Sequence, residues 1–270
     1  MIPVPKNPIR GVSADDMRVI TLNANGIRAA ARKGFFAWVA GQNADVIALQ
    51  ETKAQEHQLP EASVLAGYTS FFVDAQRKGY SGVALYARRE PQAVKRGLGW
   101  PDVDAEGRFV QIDFGAYTIS SLYVPSGTSG PARQAVKMNF LERFLTVLMD
   151  LRHSGRQHII CGDFNIAHRE IDTFDPVRNA AITGFLPEER EWMDAVIEQI
   201  GWVDAFRVVN HDAKQYTWWA NWPAAWPNNL GWRIDYHLIT PGLTGRVKRA
   251  SIYRGERFSD HAPVIVDYDL

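Results

Sequence analysis

Residues 157–168, QHIICGDFNIAH, carry an apolar run, Ile159-Ile160-Cys161, into a polar turn, Gly162-Asp163-Phe164-Asn165. The run reads as a buried strand, and chemistry follows it. A side chain at a strand end is held rigidly, while the loop beyond admits substrate. Four further motifs are built the same way: LNANGIR (Leu22–Arg28), LQETK (Leu49–Lys53), WRIDYHLIT (Trp232–Thr240) and SDHAP (Ser259–Pro263). They lie far apart in the chain. Only a fold that gathers strand ends on one edge brings them together.

Candidate strands are Arg18–Leu22, Asp45–Gln50, Thr69–Val73, Gly82–Ala87, Arg108–Phe114, Tyr117–Val124, Gln157–Cys161, Tyr216–Trp219, Arg233–Ile239, Val247–Tyr253 and Val264–Tyr268. Alternation such as Val110, Ile112, Phe114 suits sheets with a face on a core. Three helices are expected. Ile27–Ala40 carries Ile27, Ala30, Ala31, Phe35, Trp38 and Val39; Pro131–Arg152 carries Val136, Phe140, Phe144, Val147 and Leu151. Pro187–Ile200 opens on Pro187-Glu188-Glu189, carboxylates at the positive end of the helix dipole. Many strands and few helices predict an α+β fold of two packed sheets with helices outside, rather than a doubly wound parallel sheet. No repeat or low-complexity linker divides the chain. One domain is expected from Met17 to Leu270, after a short mobile tail, residues 1–16, MIPVPKNPIRGVSADD.

The 270 residues are 46% hydrophobic and 22% charged, the composition of a globular protein. Thirty basic and thirty acidic residues cancel, which counts against a grip on nucleic acid by bulk charge. A local basic strip, or a small-molecule substrate, remains compatible. The single cysteine, Cys161, excludes an intrachain disulfide and a CxxC zinc site, and its apolar surroundings predict a buried, inert thiol. No apolar run approaches a membrane span, and the N-terminus lacks a secretory h-region, so the expected location is cytoplasmic. Nothing in the sequence demands an oligomer, so a monomer is expected.

Glu51 follows Val46-Ile47-Ala48-Leu49-Gln50, and a carboxylate just past a buried strand is a good hard-cation ligand. A solvated loop glutamate is the alternative. Asn23 reads as a turn former, a ligand or a partner of one. Asp163 and Asn165, two apart on extended chain, can project to one side, the acid to take a proton from water and the amide to orient it. The alternative there is a plain Asx turn. Asp235 sits in an apolar run and needs a partner. His261 is the candidate, which leaves Asp260 for metal. No GxSxG or GxxxxGK[ST] occurs. A carboxylate-rich site with His and Asn, but no HExxH, favours Mg²⁺ or Mn²⁺ over zinc, and with a water nucleophile suggests phosphate-ester hydrolysis. Five of the nine tryptophans fall between Trp218 and Trp232. Two or three suit packing; others could line a pocket or stack on bases. Tyr123 ends a strand within reach of a phosphate oxygen. Arg28, Lys78 and Tyr80 sit in early loops and could contact a nucleic-acid backbone.

Taken in order, LNANGIR, LQETK, RKGYSGVALY, LYVPSG, GDFNIAH, GFLPEEREWMD, GWRIDY and FSDHAP resemble the exonuclease III / apurinic–apyrimidinic endonuclease family, of the wider endonuclease–exonuclease–phosphatase fold. The resemblance runs from Met17 to Leu270. It implies a DNase I-like four-layer α/β/β/α sandwich of two mixed sheets. It also implies Mg²⁺-dependent hydrolysis of double-stranded DNA at abasic sites and 3′ termini. By position it gives Glu51 the metal, helped by Asp260 and Asn23, with Asp163 and Asn165 beside it. Asp163 would activate water, Asn165 would orient it, and His261 paired with Asp235 would stabilise phosphate charge. Tyr123 would touch the phosphate or the leaving oxygen. Trp218, Trp232 and Ile234 would wall a sugar pocket, and Tyr80 would probe the minor groove. Two departures stand out. Ser126 replaces an Asn or Gln phosphate donor, and Asp172–Thr183 lacks a Lys-rich character. The rival readings are a phosphatase of small phosphate esters on the same fold and a non-catalytic nucleic-acid-binding regulator. The intact acidic positions favour the enzyme.

Overall fold

Strand β1 (Asp16–Asn23) is buried along nearly its whole length, because both its faces are covered. Val19 faces one apolar layer, and Ile20 and Leu22 face another. In β2 (Val46–Gln50), Val46 and Ala48 likewise oppose Ile47 and Leu49. Each fully buried Val, Leu or Ile contributes about 1.5–3 kcal/mol. Two-sided burial explains why these strands read as unbroken apolar runs. The computed structural model describes residues 16–270. The expected tail therefore lies outside the described residues, apart from Asp16, which opens β1.

The remaining strands are β3 (Thr69–Val73), β4 (Val83–Ala87), β5 (Ala93–Arg96), β6 (Phe109–Asp113), β7 (Tyr117–Tyr123), β8 (Gln157–Asp163), β9 (Val203–Asp204), β10 (Asp235–Ile239), β11 (Val247–Ile252) and β12 (Val264–Asp269). They form two mixed six-stranded sheets, β11-β12-β1-β2-β4-β3 and β5-β6-β7-β8-β10-β9. Val19, Val83, Leu85, Val264 and Val266 of the first sheet meet Val110, Ile112, Ile119, Ile159 and Ile239 of the second. Cys161 lies in that inter-sheet core, where burial pushes its thiol pKa up. The outer face of the first sheet packs on Ile27, Phe35 and Val39, and that of the second on Phe140, Phe144, Trp192 and Trp202. The result is the expected four-layer α/β/β/α sandwich. No helix among the described residues is long and apolar enough to cross a membrane.

Several local expectations are corrected. Ile27–Ala40 is two helices, Ile27–Arg32 and Phe35–Ala40, because Gly34 takes φ 87° between them. Tyr216–Trp219 is no strand: Trp218 makes only single bridges, to Trp232 and His261. Pro187–Ile200 is α-helical to Asp194 and then widens into a π-turn, Ala195–Gln199. In the long helix Pro131–His153 the buried stripe is Lys137, Phe140, Leu141, Phe144 and Leu148, while Val136 is exposed. Strands β5 and β9 were not expected; β5 is mostly exposed and so has no apolar pattern.

One buried cluster fixes the entry to β10. Arg233 Nε donates to Asp172 Oδ1 at 2.8 Å, Arg207 Nη2 reaches the same oxygen at 2.7 Å, and Arg233 Nη2 lies 2.7 Å from Asp204 Oδ2. Arg233 N also donates to the Asp172 carbonyl at 2.8 Å. Asp172 is thus an internal anchor, not part of a duplex-facing strip. Burial acts to raise its carboxyl pKa, but the Arg233 and Arg207 guanidinia more than reverse this and hold it at about 2. A carboxyl depressed in the folded state adds stability above its unfolded value and loses it as pH falls through the folded one. Asp172→Asn is expected to destabilise the fold by about 3–5 kcal/mol at neutral pH, since it leaves buried guanidinium charge uncompensated. In denaturant unfolding that gap should narrow by about 2 kcal/mol on acidification toward the folded pKa. A gap constant over that window would place the stabilisation elsewhere.

Candidate active site

Strand direction assembles the site. β1 and β2 are parallel, so Asn23 and Glu51 leave the first sheet at one edge. β12 is antiparallel to β1, so Asp260 and His261, which lead into it, stand at that edge too. In the second sheet β7 and β8 are parallel and end on Tyr123 and Asp163. β10, antiparallel to β8, begins with Asp235 opposite Asp163. The Asn23 amide joins the sheets, donating to Glu51 Oε1 and to Asp163 Oδ2, each at 2.8 Å. Gly162 lets β8 lie close against β7 just before Asp163: a Cβ there would lie 1.9 Å from the Leu122 carbonyl oxygen.

The loops leaving these strands hold non-glycine residues in the left-handed region: Asn25 (φ 43°), Glu51 (φ 49°), Lys53 (φ 48°) and Asn165 (φ 54°). Such residues cost about 1–3 kcal/mol each and persist where other bonds over-determine them. Here Gly26 N donates to the Glu51 carbonyl at 2.8 Å, Lys53 N to the Ser81 carbonyl at 2.8 Å, and Asn165 N to Asp163 Oδ1 at 2.8 Å.

A cleft of about 360 Å³ opens on this edge. Among its lining are Glu51, Tyr123, Asp163, Asn165, Asp260, His261, Tyr80, Trp218, Trp232 and Ile234. His261 Nδ1 pairs with Asp235 Oδ2 at 2.9 Å, and Nε2 lies 3.9 Å from Asp163 Oδ2. Burial works to lower the His261 pKa, but Asp235, by charge and hydrogen bond, and then Asp163 and Asp260 raise it to about 10. Burial, then the Asp235 charge, raise Asp163 to about 7, suiting a group that takes and returns a proton near neutrality. Burial, with Glu51 alongside, keeps the Tyr123 phenol protonated, a donor. Burial opposes the charges on Glu51 and Asp260. Lys53 and Asn23 outweigh it at Glu51, His261 and Asn25 at Asp260, and both stay ionised.

With Asp163 ionised, Glu51, Asp163 and Asp235 have Lys53 and His261 as their direct ion-pair partners, Asp260 stands beside them, and the two arginines of the cleft, Arg108 and Arg133, pair with Glu106. That all-oxygen, negatively charged donor set fits a hard divalent cation. Asp235 and His261 also lie close enough to Asp163 to form an acidic and imidazole cluster, but their mutual bond commits them to each other. Asn23 is fully buried and its oxygen accepts from Asn25 N at 2.9 Å. This arrangement makes it a bridge between the two carboxylates.

Trp218 and Trp232 meet edge to face at 6.3 Å, and Phe185 backs Trp232 at 6.2 Å. Trp219 and Trp226 pack together instead, and Trp222 is exposed. Tyr80 Oη accepts from Arg108 Nη2 and Arg133 Nη2, each at 3.0 Å. Sequence reasoning missed both arginines, although each lines the cleft. Arg108, at the head of an apolar strand, was the available signal; Arg133 gave none. Ser126 lines the cleft and bonds to Thr128 at 3.0 Å. Arg28 and Lys78 are exposed and outside the lining. His168 turns away, to Asp194 at 2.6 Å.

Residues 20–261 match the family described as Endonuclease/Exonuclease/phosphatase. A Bacillus subtilis exodeoxyribonuclease is 37% identical over 253 residues, covering 92% of this chain and 98% of that protein. An AP endonuclease from Archaeoglobus fulgidus superposes with a TM-score of 0.85 at 27% identity, covering 94% of this chain and all of its own. A Neisseria 3′ phosphatase bound to a product DNA hairpin gives the same TM-score at 26% identity, again over 94% of this chain.

In a histidine-detected NMR titration His261 is expected to stay protonated until the pH approaches about 10. Asp235→Asn should move that transition several units lower. The charged pair stabilises the fold below the histidine's unfolded pKa, and that contribution fades as pH rises through the folded one. An unchanged His261 titration in Asp235→Asn would dismantle the assigned pairing.

Proposed function

The chain belongs to the endonuclease/exonuclease/phosphatase family, and we propose that it is a DNA-repair phosphodiesterase cleaving double-stranded DNA at abasic sites and at 3′ termini. It is a nuclease of the exonuclease III / AP endonuclease type. The observation that carries the finer reading is one cleft in which Asp163, the Asp235–His261 pair, Glu51 and Asp260 face an aromatic wall.

In this reading Asp163 takes the proton of the attacking water, and the Asn165 amide orients that water against the phosphate. His261, charged through Asp235, donates from Nε2 to a non-bridging phosphate oxygen and offsets the charge that develops there. The Tyr123 phenol donates to the phosphate or to the leaving oxygen. Glu51 and Asp260 would hold the cation, helped by Asn23, which also keeps Glu51 in place. Mg²⁺, or Mn²⁺ in its stead, would supply Lewis-acid charge and lower the pKa of bound water. Trp218, Trp232 and Ile234 form an apolar notch for a sugar without its base, while a paired nucleotide is too large and too polar for it. Tyr80, Arg28 and Lys78 touch the DNA backbone and groove, so a local strip replaces bulk charge. The protein acts as a monomer in the cytoplasm.

A duplex oligonucleotide with one central abasic analogue should be incised with Mg²⁺ and left intact with EDTA. A parallel duplex with a recessed 3′ phosphate should lose it. Asp163→Asn should lower kcat by at least ~10²–10⁴-fold, the loss typical of removing a general base. Near-wild-type turnover in that variant would remove Asp163 from the mechanism. Trp232→Ala, checked for folding, should reduce abasic incision more than 3′-phosphate removal. Equal losses on both substrates would count against a sugar notch.

A further inference from the structure

Under the cleft floor lies an ion pair that the chemistry above does not use. Lys137 and Glu189 are each fully buried, with Lys137 Nζ 2.5 Å from Glu189 Oε1. Lys137 sits on the inward stripe of helix Pro131–His153, between Gln134 and Leu141, where an apolar side chain would pack as well. Replacing a buried ion pair by apolar residues is often neutral or stabilising, so this pair is weak evidence for stability. Its geometry points elsewhere.

Lys137 Nζ also donates to the backbone carbonyl of Asn165 at 2.8 Å. Asn165 is left-handed at φ 54°, and its N–H and side-chain amide both bond to Asp163, at 2.8 and 3.4 Å. The held carbonyl belongs to the Asn165–Ile166 peptide, so Lys137 fixes the backbone just after the residue whose N–H and side-chain amide meet the Asp163 carboxylate. Glu189 completes the clamp on the other side. Its Oε2 accepts from Gly184 N at 2.6 Å and Leu186 N at 3.0 Å, and Oε1 accepts from Gln134 Nε2 at 3.0 Å. The Gly184 carbonyl accepts from Ala167 N at 2.7 Å, and Gly184 itself lines the cleft.

We infer that Lys137 is a positioning residue for the hydrolysis: neutralised by Glu189, its ammonium holds the Asn165 peptide and thereby aims the Asn165 amide and the Asp163 carboxylate at the reacting water. Lys137 touches no substrate. The inference rests on the nuclease reading given above. It goes beyond that reading by tying turnover to a side chain outside the cleft.

The test is the double variant Lys137→Met/Glu189→Gln, assayed on the abasic duplex with Mg²⁺ beside the wild type. Glutamine keeps an acceptor for the Gly184 and Leu186 N–H groups and the pair becomes neutral; the bonds lost are those of Lys137 to Asn165 and to Glu189, and that of Gln134 to Glu189 Oε1, which becomes a donor amide. The expected result is an unfolding midpoint within a few degrees of wild type, KM within about threefold, and kcat lower by ~10²-fold, the usual consequence of misplacing a reacting group by about an ångström. Should methionine prevent folding, Lys137→Gln/Glu189→Gln carries the same test, since glutamine is one atom shorter than lysine, and the same kcat loss is expected. Wild-type kcat in a folded double variant, or a loss confined to KM, would overturn the inference. A wild-type protein that cleaves neither the abasic nor the 3′-phosphate duplex would overturn the nuclease reading with it.

Discussion

Stacking two sheets face to face leaves their edges as the only place for polar chemistry. The inner faces are sealed against each other by Val19, Val46, Leu85, Ile112, Ile119 and Ile159, and the outer faces by helices. A carboxylate in the middle of a covered strand is buried away from solvent and needs a partner, as Asp267 of β12 has in Arg18 at 2.7 Å. At the strand ends it can be buried and still face a cleft. The Asn23 amide is the point where this constraint becomes a site. It bonds to Glu51 of its own sheet and to Asp163 of the other, so the sheets cannot slide without separating the two carboxylates.

The electrostatics follow from that crowding. Burial first, and then the charge of the neighbouring Asp235, raise Asp163, while Asp235 itself is matched by the His261 imidazolium. Lys53 lies on Glu51 at 2.7 Å and tempers the excess. The local backbone carries the strain of assembling such a site. Glu51, Lys53 and Asn165 are all left-handed; Glu51 and Lys53 are tied by backbone hydrogen bonds to neighbouring loops, and Asn165 to the Asp163 carboxylate of its own turn.

Much of this was legible in the sequence because of two-sided burial. Unbroken runs such as Val46–Leu49 and Ile159–Cys161 identify strands, and the polar residue that ends each run is then conspicuous. Glu51 and Asp163 were readable for that reason, Asp235 because a carboxylate inside an apolar run needs a partner, and His261 as the candidate for that partner. Gly34 was missed because the apolar pattern continues on both sides of it, while the backbone does not. Tyr216–Trp219 has the composition of a strand but pairs only through single bridges. Arg108, Arg133 and Lys137 act through contacts with residues remote in sequence, Tyr123, Tyr80 and Glu189, and no local pattern announces such partners.

The tryptophan-rich segment is fastened at its base. Trp218 and Trp232 exchange backbone hydrogen bonds in both directions, at 2.8 Å each, and the Thr217 hydroxyl caps Ile234 N at 3.0 Å. The segment between them is tied down again inside: Trp219 N donates to the Asp260 carbonyl at 3.1 Å, and the buried Ala225 packs with Ala262. Its tip, residues 221–224, is exposed and stands clear of those ties, so exchanges there are expected to leave Asp235 and His261 where they are. In evolutionary terms that tip is free to drift while the cluster of carboxylates and imidazole stays fixed.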